Sequence, residues 1–142
     1  MASSPTVATV LLVVSLAACG GGDRKTRLNV RPPAAGVPQQ PSEITGIYRT
    51  THQATLQLRG DGSLSMIVPV AGVGPTAGTY QLDDDGFRLR TVACGDTIGT
   101  YRVEVRGRQV AGEANLVFIT VDDACEQRSR YLTIDPWYYA DS

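Results

Sequence analysis

The chain has 142 residues with 13 Lys and Arg against 14 Asp and Glu, so it is close to neutral. Its arginines are scattered and not interleaved with aromatics, which argues against a nucleic-acid surface. With the N-terminal segments set aside, what remains has the size of one ordinary domain.

In chain order, Val7–Ala18 is an uncharged, mostly apolar run. As a helix it rises about 18 Å, well short of the roughly 30 Å of bilayer hydrocarbon, so it fits a signal-peptide core and not a spanning helix. Met1–Thr6 carries no Lys or Arg, whereas such segments usually begin with basic residues. The α-amino group then supplies the only positive charge there, unless the true start lies upstream. Leu16-Ala17-Ala18-Cys19 closes the run and opens onto Gly20-Gly21-Gly22. These residues resemble the lipobox of bacterial lipoproteins. The resemblance implies that residues 1–18 are removed as a signal peptide and that Cys19 takes a diacylglyceryl group. The protein would then sit at the cell membrane, lipid-anchored and facing the extracytoplasmic side. Two acyl chains anchor stably where one is marginal. If the envelope has two membranes, Gly20 after Cys19 is compatible with export to the outer one.

Residues 19–42 are rich in Gly, Pro and Gln, with Pro32, Pro33, Pro38 and Pro41. That composition buries too little apolar surface to fold and reads as a flexible linker. Its Arg24, Lys25, Arg27 and Arg31 outnumber the single acid Asp23. Either they draw the tether to an anionic leaflet, at about 1 kcal/mol each, or they only keep it soluble.

The folded unit is expected over residues 43–142. There apolar residues alternate with polar ones, and turns recur every few residues. Gly46–Thr50 begins the series. Thr55–Arg59 and Ser63–Val68 flank the turn Gly60-Asp61-Gly62 as a hairpin. Gly78–Leu82 and Phe87–Arg90 flank Asp83-Asp84-Asp85-Gly86. Gly99–Arg106 turns at Gly107 toward residues 115–121, and Tyr131–Ile134 closes the set. No stretch holds a helical period, apart from a single turn between Asp122 and Arg130 that Asp122 or Asp123 could cap. Strands without intervening helices pair antiparallel with their neighbours. The fold class is therefore all-β, a small antiparallel up-and-down meander barrel of about eight strands, with an open sandwich as the competing form. The inward face is expected to hold Leu56, Leu58, Leu64, Met66, Tyr80, Leu82, Phe87, Leu89, Tyr101, Val103, Val105, Phe118, Leu132 and Ile134. These medium and large side chains point to a filled core with at most a shallow cup.

Cys94 and Cys125 are the cysteines left after Cys19. In an exported chain such a pair reads as a disulfide, worth roughly 3–4 kcal/mol for this loop. With one histidine and no C-x-x-C, nothing points to a metal site.

Three Gly-x-Tyr triplets recur, at Gly46–Tyr48, Gly78–Tyr80 and Gly99–Tyr101. The first resembles the Gly-x-Trp entrance signature of lipocalins. Gly99-Thr100-Tyr101-Arg102-Val103, Val121-Asp122-Asp123-Ala124-Cys125, Arg128, Leu132 and Trp137 are similar to secreted bacterial lipocalin-like domains. The resemblance spans roughly residues 44–137, with Tyr in place of the entrance Trp and without the long cavity-forming strands. It implies an arginine packed across the entrance aromatic, here Arg128 or Arg130.

No catalytic device is visible. His52 lacks a neighbouring nucleophile, Gly-x-Ser-x-Gly is absent, and the Asp83–Gly86 run lacks the ligand pattern of a calcium loop. No cofactor is implied. Trp137-Tyr138-Tyr139 either plugs the barrel end or forms an exposed aromatic patch. The leading expectation is a non-enzymatic, membrane-anchored lipoprotein binding a small apolar ligand through Tyr48, Tyr80, Tyr101 and Trp137. The alternatives are a protein-binding envelope lipoprotein, such as a hydrolase inhibitor, and a structural envelope protein.

Overall fold

A computed structural model describes residues 33–70, 72–107 and 113–140. The expected signal peptide, Cys19 and the tether as far as residue 32 lie outside these residues. Eight strands follow one another: β1 (Gly46–Arg49), β2 (Thr55–Leu58), β3 (Ser63–Ile67), β4 (Thr76–Asp83), β5 (Gly86–Thr91), β6 (Gly99–Arg106), β7 (Asn115–Asp122) and β8 (Trp137–Ala140). Each pairs antiparallel with the next and β8 pairs with β1, so the meander closes into a barrel without a free edge strand. One α-helix is present among the described residues, α1 (Glu126–Thr133).

Turn chemistry sets the register. Gly62 takes a left-handed φ of 82°, while Asp61 Oδ1 accepts the Ser63 N–H at 2.8 Å. At the next hairpin Asp83 Oδ1 accepts the Asp85 N–H at 3.0 Å, and its carboxylate pairs with Arg88. The acidic run is thus a turn, as its pattern indicates. Alternation then directs side chains. Of the residues expected inward, all but Ile134 are buried, joined by Ile44, Tyr48, Leu116, Trp137 and Tyr139.

Two expectations need correction. Tyr131–Ile134 is not the last strand. Residues 126–133 form α1, which buries Arg128 and Leu132 four residues apart, while Ile134 is 62 % exposed. The eighth strand is Trp137–Ala140, whose Leu116↔Trp137 and Tyr48↔Tyr139 pairings complete the barrel. The single turn expected between Asp122 and Arg130 is in fact a helix reaching Thr133. Cys125, not Asp122 or Asp123, is its N-cap residue.

The second correction concerns the tether. Residues 33–42 lie against the barrel, with Pro33 and Pro38 buried. Strand β6 runs past the end of its pairing with β5 at Phe87↔Tyr101, which leaves Val105 without a partner on that side. Gly36 fills the gap: its N–H donates to Val105 O at 2.9 Å, and Val105 N–H donates to Gly36 O at 2.7 Å. The two bonds satisfy both backbone groups of Val105 on that side, and the burial of Pro33 and Pro38 adds apolar contact to the same stretch.

Up-and-down topology gives the barrel two distinct ends. The tether end gathers the Gly60–Gly62 and Asp83–Gly86 turns and is closed by Ile44, which is fully buried. The helix end gathers the β3–β4 connection, the 3-10 turn Val92–Cys94 before β6, and α1. The Cys94–Cys125 disulfide joins the last two across 31 residues of sequence, with Cα atoms 5.9 Å apart. Replacing both cysteines by serine is expected to lower the free energy of unfolding by about 3.5 kcal/mol through loop-closure entropy. Urea denaturation of the oxidised protein beside the double variant measures it.

Candidate functional site

The interior is solid. Tyr80 stacks on Phe87 with ring centroids 5.2 Å apart, Phe87 meets Phe118 edge-on at 5.2 Å, and Phe118 meets Tyr101 at 6.3 Å. Tyr48 and Tyr139 form a further edge-on pair at 5.7 Å. These rings, with the leucines between them, occupy the space that a hollow barrel of this strand number would leave for a ligand.

The four aromatics singled out from sequence all lie in this packing. Tyr48, Tyr80, Tyr101 and Trp137 are each at most 3 % exposed. Their polar atoms are already engaged. Tyr48 donates to Ile44 O at 2.8 Å, Tyr80 to Arg59 O at 2.7 Å and Trp137 Nε1 to Leu132 O at 3.0 Å. Burial pushes the Tyr80 hydroxyl up to about 12, and desolvation also raises Tyr48 and Tyr101. The three Gly-x-Tyr tyrosines do not converge on one mouth. Tyr48 and Tyr80 bond toward the tether end, and Tyr101 toward the helix end.

At the helix end sits a buried ionic lock. Arg128 Nη2 donates to Asp123 Oδ1 at 2.6 Å and Nε donates to Asp123 Oδ2 at 2.7 Å, a two-pronged pairing. Arg128 Nη1 donates to Thr97 O at 3.0 Å, the Tyr101 hydroxyl donates to Asp123, and the Cys125 N–H donates to Asp123 Oδ1 at 2.8 Å. Both side chains are shielded from solvent, 1 % and 0 % exposed. Burial opposes ionisation of Asp123, but hydrogen bonds from Arg128, Tyr101 and Cys125 outweigh it and hold the carboxyl below its usual range. Gly99 makes room for the lock, since a Cβ there would sit 2.4 Å from Asp123 Oδ2. The arginine expected across the entrance aromatic is not there: Tyr48 bonds toward the tether end, whereas Arg128 lies at the helix end and shares Asp123 with Tyr101 of the third triplet. Spacing within Asp123-x-Cys125-x-x-Arg128 was the signal available for this lock.

Beside the lock lies a small apolar cup of about 40 Å³ between α1 and the β3–β4 connection, walled chiefly by Met66, Val68, Val73, Ala93 and Tyr131. The same end of the barrel exposes large apolar side chains. Ile67, Val70, Val92, Ile98, Val121 and Ile134 are all strongly exposed, and all belong to strand ends or connections at the helix end. Val37 is the one comparable side chain elsewhere among the described residues.

No family model, curated protein or solved structure matches this chain. The site is therefore read from its own geometry.

His52, at the same end, is exposed and places Nδ1 2.5 Å from Asp135 Oδ2, which ties the β1–β2 turn to the α1–β8 connection. The Thr51 hydroxyl and Asp135 both meet His52 at Nδ1, whereas a triad needs the acid on one ring nitrogen and the nucleophile on the other, so these three do not form one. Among the described residues no three His, Cys, Asp or Glu side chains are grouped to hold a metal ion.

Removing one partner of the lock strands the other in a dry site. Arg128→Met is expected to cost about 3–5 kcal/mol of stability, with part recovered when Asp123→Asn is added. Because the folded-state Asp123 titrates below its unfolded value, its contribution is in place above that unfolded value, near pH 4, and is lost as pH falls through the folded one. Chemical denaturation from pH 7 to pH 2 should show an acid loss that is smaller in the double variant.

Proposed function

We propose that this chain is a non-enzymatic binding module, held at the extracytoplasmic face of a membrane through a lipidated Cys19, that presents the helix end of its barrel to a protein partner. The observation that carries this is the gathering of six of seven strongly exposed large apolar side chains at one end. Monomeric surfaces rarely concentrate apolar residues without an interaction to cover them. The size of the cup favours a protein over a small ligand. Ligand pockets span about 300–1,000 Å³, and the cup at the helix end holds only about 40 Å³; the larger open groove of about 520 Å³ lined by Thr79, Gln81, Arg88 and Arg90 lies away from the cup. A lipocalin-like architecture supports the binding role, but with the interior packed the contact falls to the outside of the mouth.

The anchor and the barrel fit this arrangement. The described chain begins at Pro33 beside the tether end, opposite the apolar rim.

Two measurements test the proposal. Cys19→Ser is expected to move the protein from the membrane pellet to the soluble fraction, and retention in the pellet refutes the anchor. A photo-crosslinking amino acid at Val92 in intact cells is expected to give a discrete protein adduct that the same probe at Val37 does not. Equal labelling from both positions, or labelling of lipid alone, refutes the docking end.

A further inference from the structure

The cup and the rim carry the reading one step further. The charged residue lining the cup, Arg128, spends three of its five N–H donors on Asp123 and Thr97, so its charge is already met by a carboxylate inside the protein. Thr76 Oγ1 accepts the Ala93 N–H at 3.3 Å. What is left is a shallow apolar seat with Val70 and Val92 standing exposed on the segments that border it. Its volume suits the tip of one aliphatic side chain and not a lipid chain.

The neighbouring charge says more about the occupant. Asp96 is fully exposed, and its nearest cation, Arg90, approaches only to 3.9 Å. Asp122 and Glu126 are exposed and have no ion pair among the described residues. Arg130 lies one turn beyond Glu126 on α1. The disulfide joins the two segments that carry these acids, Asp96 beside Cys94 and Asp122 and Glu126 beside Cys125, and the exposed Val92, Ile98 and Val121 lie on the same two segments. A second copy docking face to face would set the acids against themselves, and the described chain begins at Pro33, beside the opposite end.

We infer that the cup is a socket for one aliphatic side chain of a partner protein, of leucine, isoleucine or methionine size, carried next to a lysine or arginine that meets the acids beside Val92. This rests on the helix end being the protein-binding surface, as proposed above.

The test uses the full-length protein in detergent micelles, panned against a random dodecapeptide display library. Enriched peptides are expected to share an aliphatic residue adjacent to Lys or Arg. Gly74 lines the cup, and a Cβ there meets nothing within 4 Å, so Gly74→Phe fills the seat without crowding the backbone. It is expected to weaken the best peptide by at least about tenfold, with an unchanged circular dichroism melt. If that variant folds poorly, Ala93→Phe replaces it. Replacing the peptide's cationic residue by Gln should also weaken binding and remove its salt dependence. Peptides that are lost with Val92→Asp but bind Gly74→Phe normally would overturn the socket and leave the docking end standing. Peptides indifferent to loss of their cation would overturn the charge match. A library that yields no peptide preferring the native protein over Val92→Asp sinks both the socket and the reading beneath it.

Discussion

The Arg128–Asp123 pair is the interaction on which the helix end depends. It is a costly element taken alone, because two charges must leave water. Here nearly every demand of the pair is met by a group that also has an architectural task. Thr97 belongs to the chain entering β6, Tyr101 to the core, and Cys125 to the disulfide. The pair therefore ties α1 to the start of β6 and the end of β7, which the β6–β7 ladder already holds side by side. Without it α1 would keep its covalent link at Cys125, the buried Leu132, the Ser129–Thr120 contact and the Trp137–Leu132 hydrogen bond, but would lose its only ionic tie to the barrel among the described residues.

That seating explains why the barrel is full at both ends and presents its apolar surplus outside. Ile44 closes the tether end, and α1 closes the other. Between them the ring chain Tyr80–Phe87–Phe118–Tyr101 fills the interior at ordinary packing distances. Eight short strands enclose a volume that these side chains consume. A residue such as Val92 or Val121, placed beyond the last layer of the core, has no inward position left to take.

Much of the barrel was legible because a period of two is a local property. Leu56, Leu58, Leu64, Met66 and Val103 declare their face through their neighbours alone. The tether end was less legible, since the need for Gly36 arises only when β6 outruns β5, a difference in length between two paired strands. Helix α1 was misread for a related reason. Leu132 and Ile134 alternate in the sequence as well as any strand, and the competing signal, Arg128 to Leu132, uses a charged residue as an inward position. An arginine reads as a surface residue until its carboxylate is found. The apolar corner was invisible for the same kind of reason: Val92, Ile98 and Val121 lie on two segments that the disulfide joins, and no motif marks them.

The Gly36–Val105 bridge has a mechanical consequence. Any pull on the N-terminal segment reaches these two backbone bonds before it reaches β1, because the chain passes Gly36 before it enters the barrel at Ile44. Peeling the stretch from Gly36 to Glu43 would pay out slack of about 3.3 Å per residue while all eight strands keep their partners. Under tension the docked stretch would therefore give way before the barrel does.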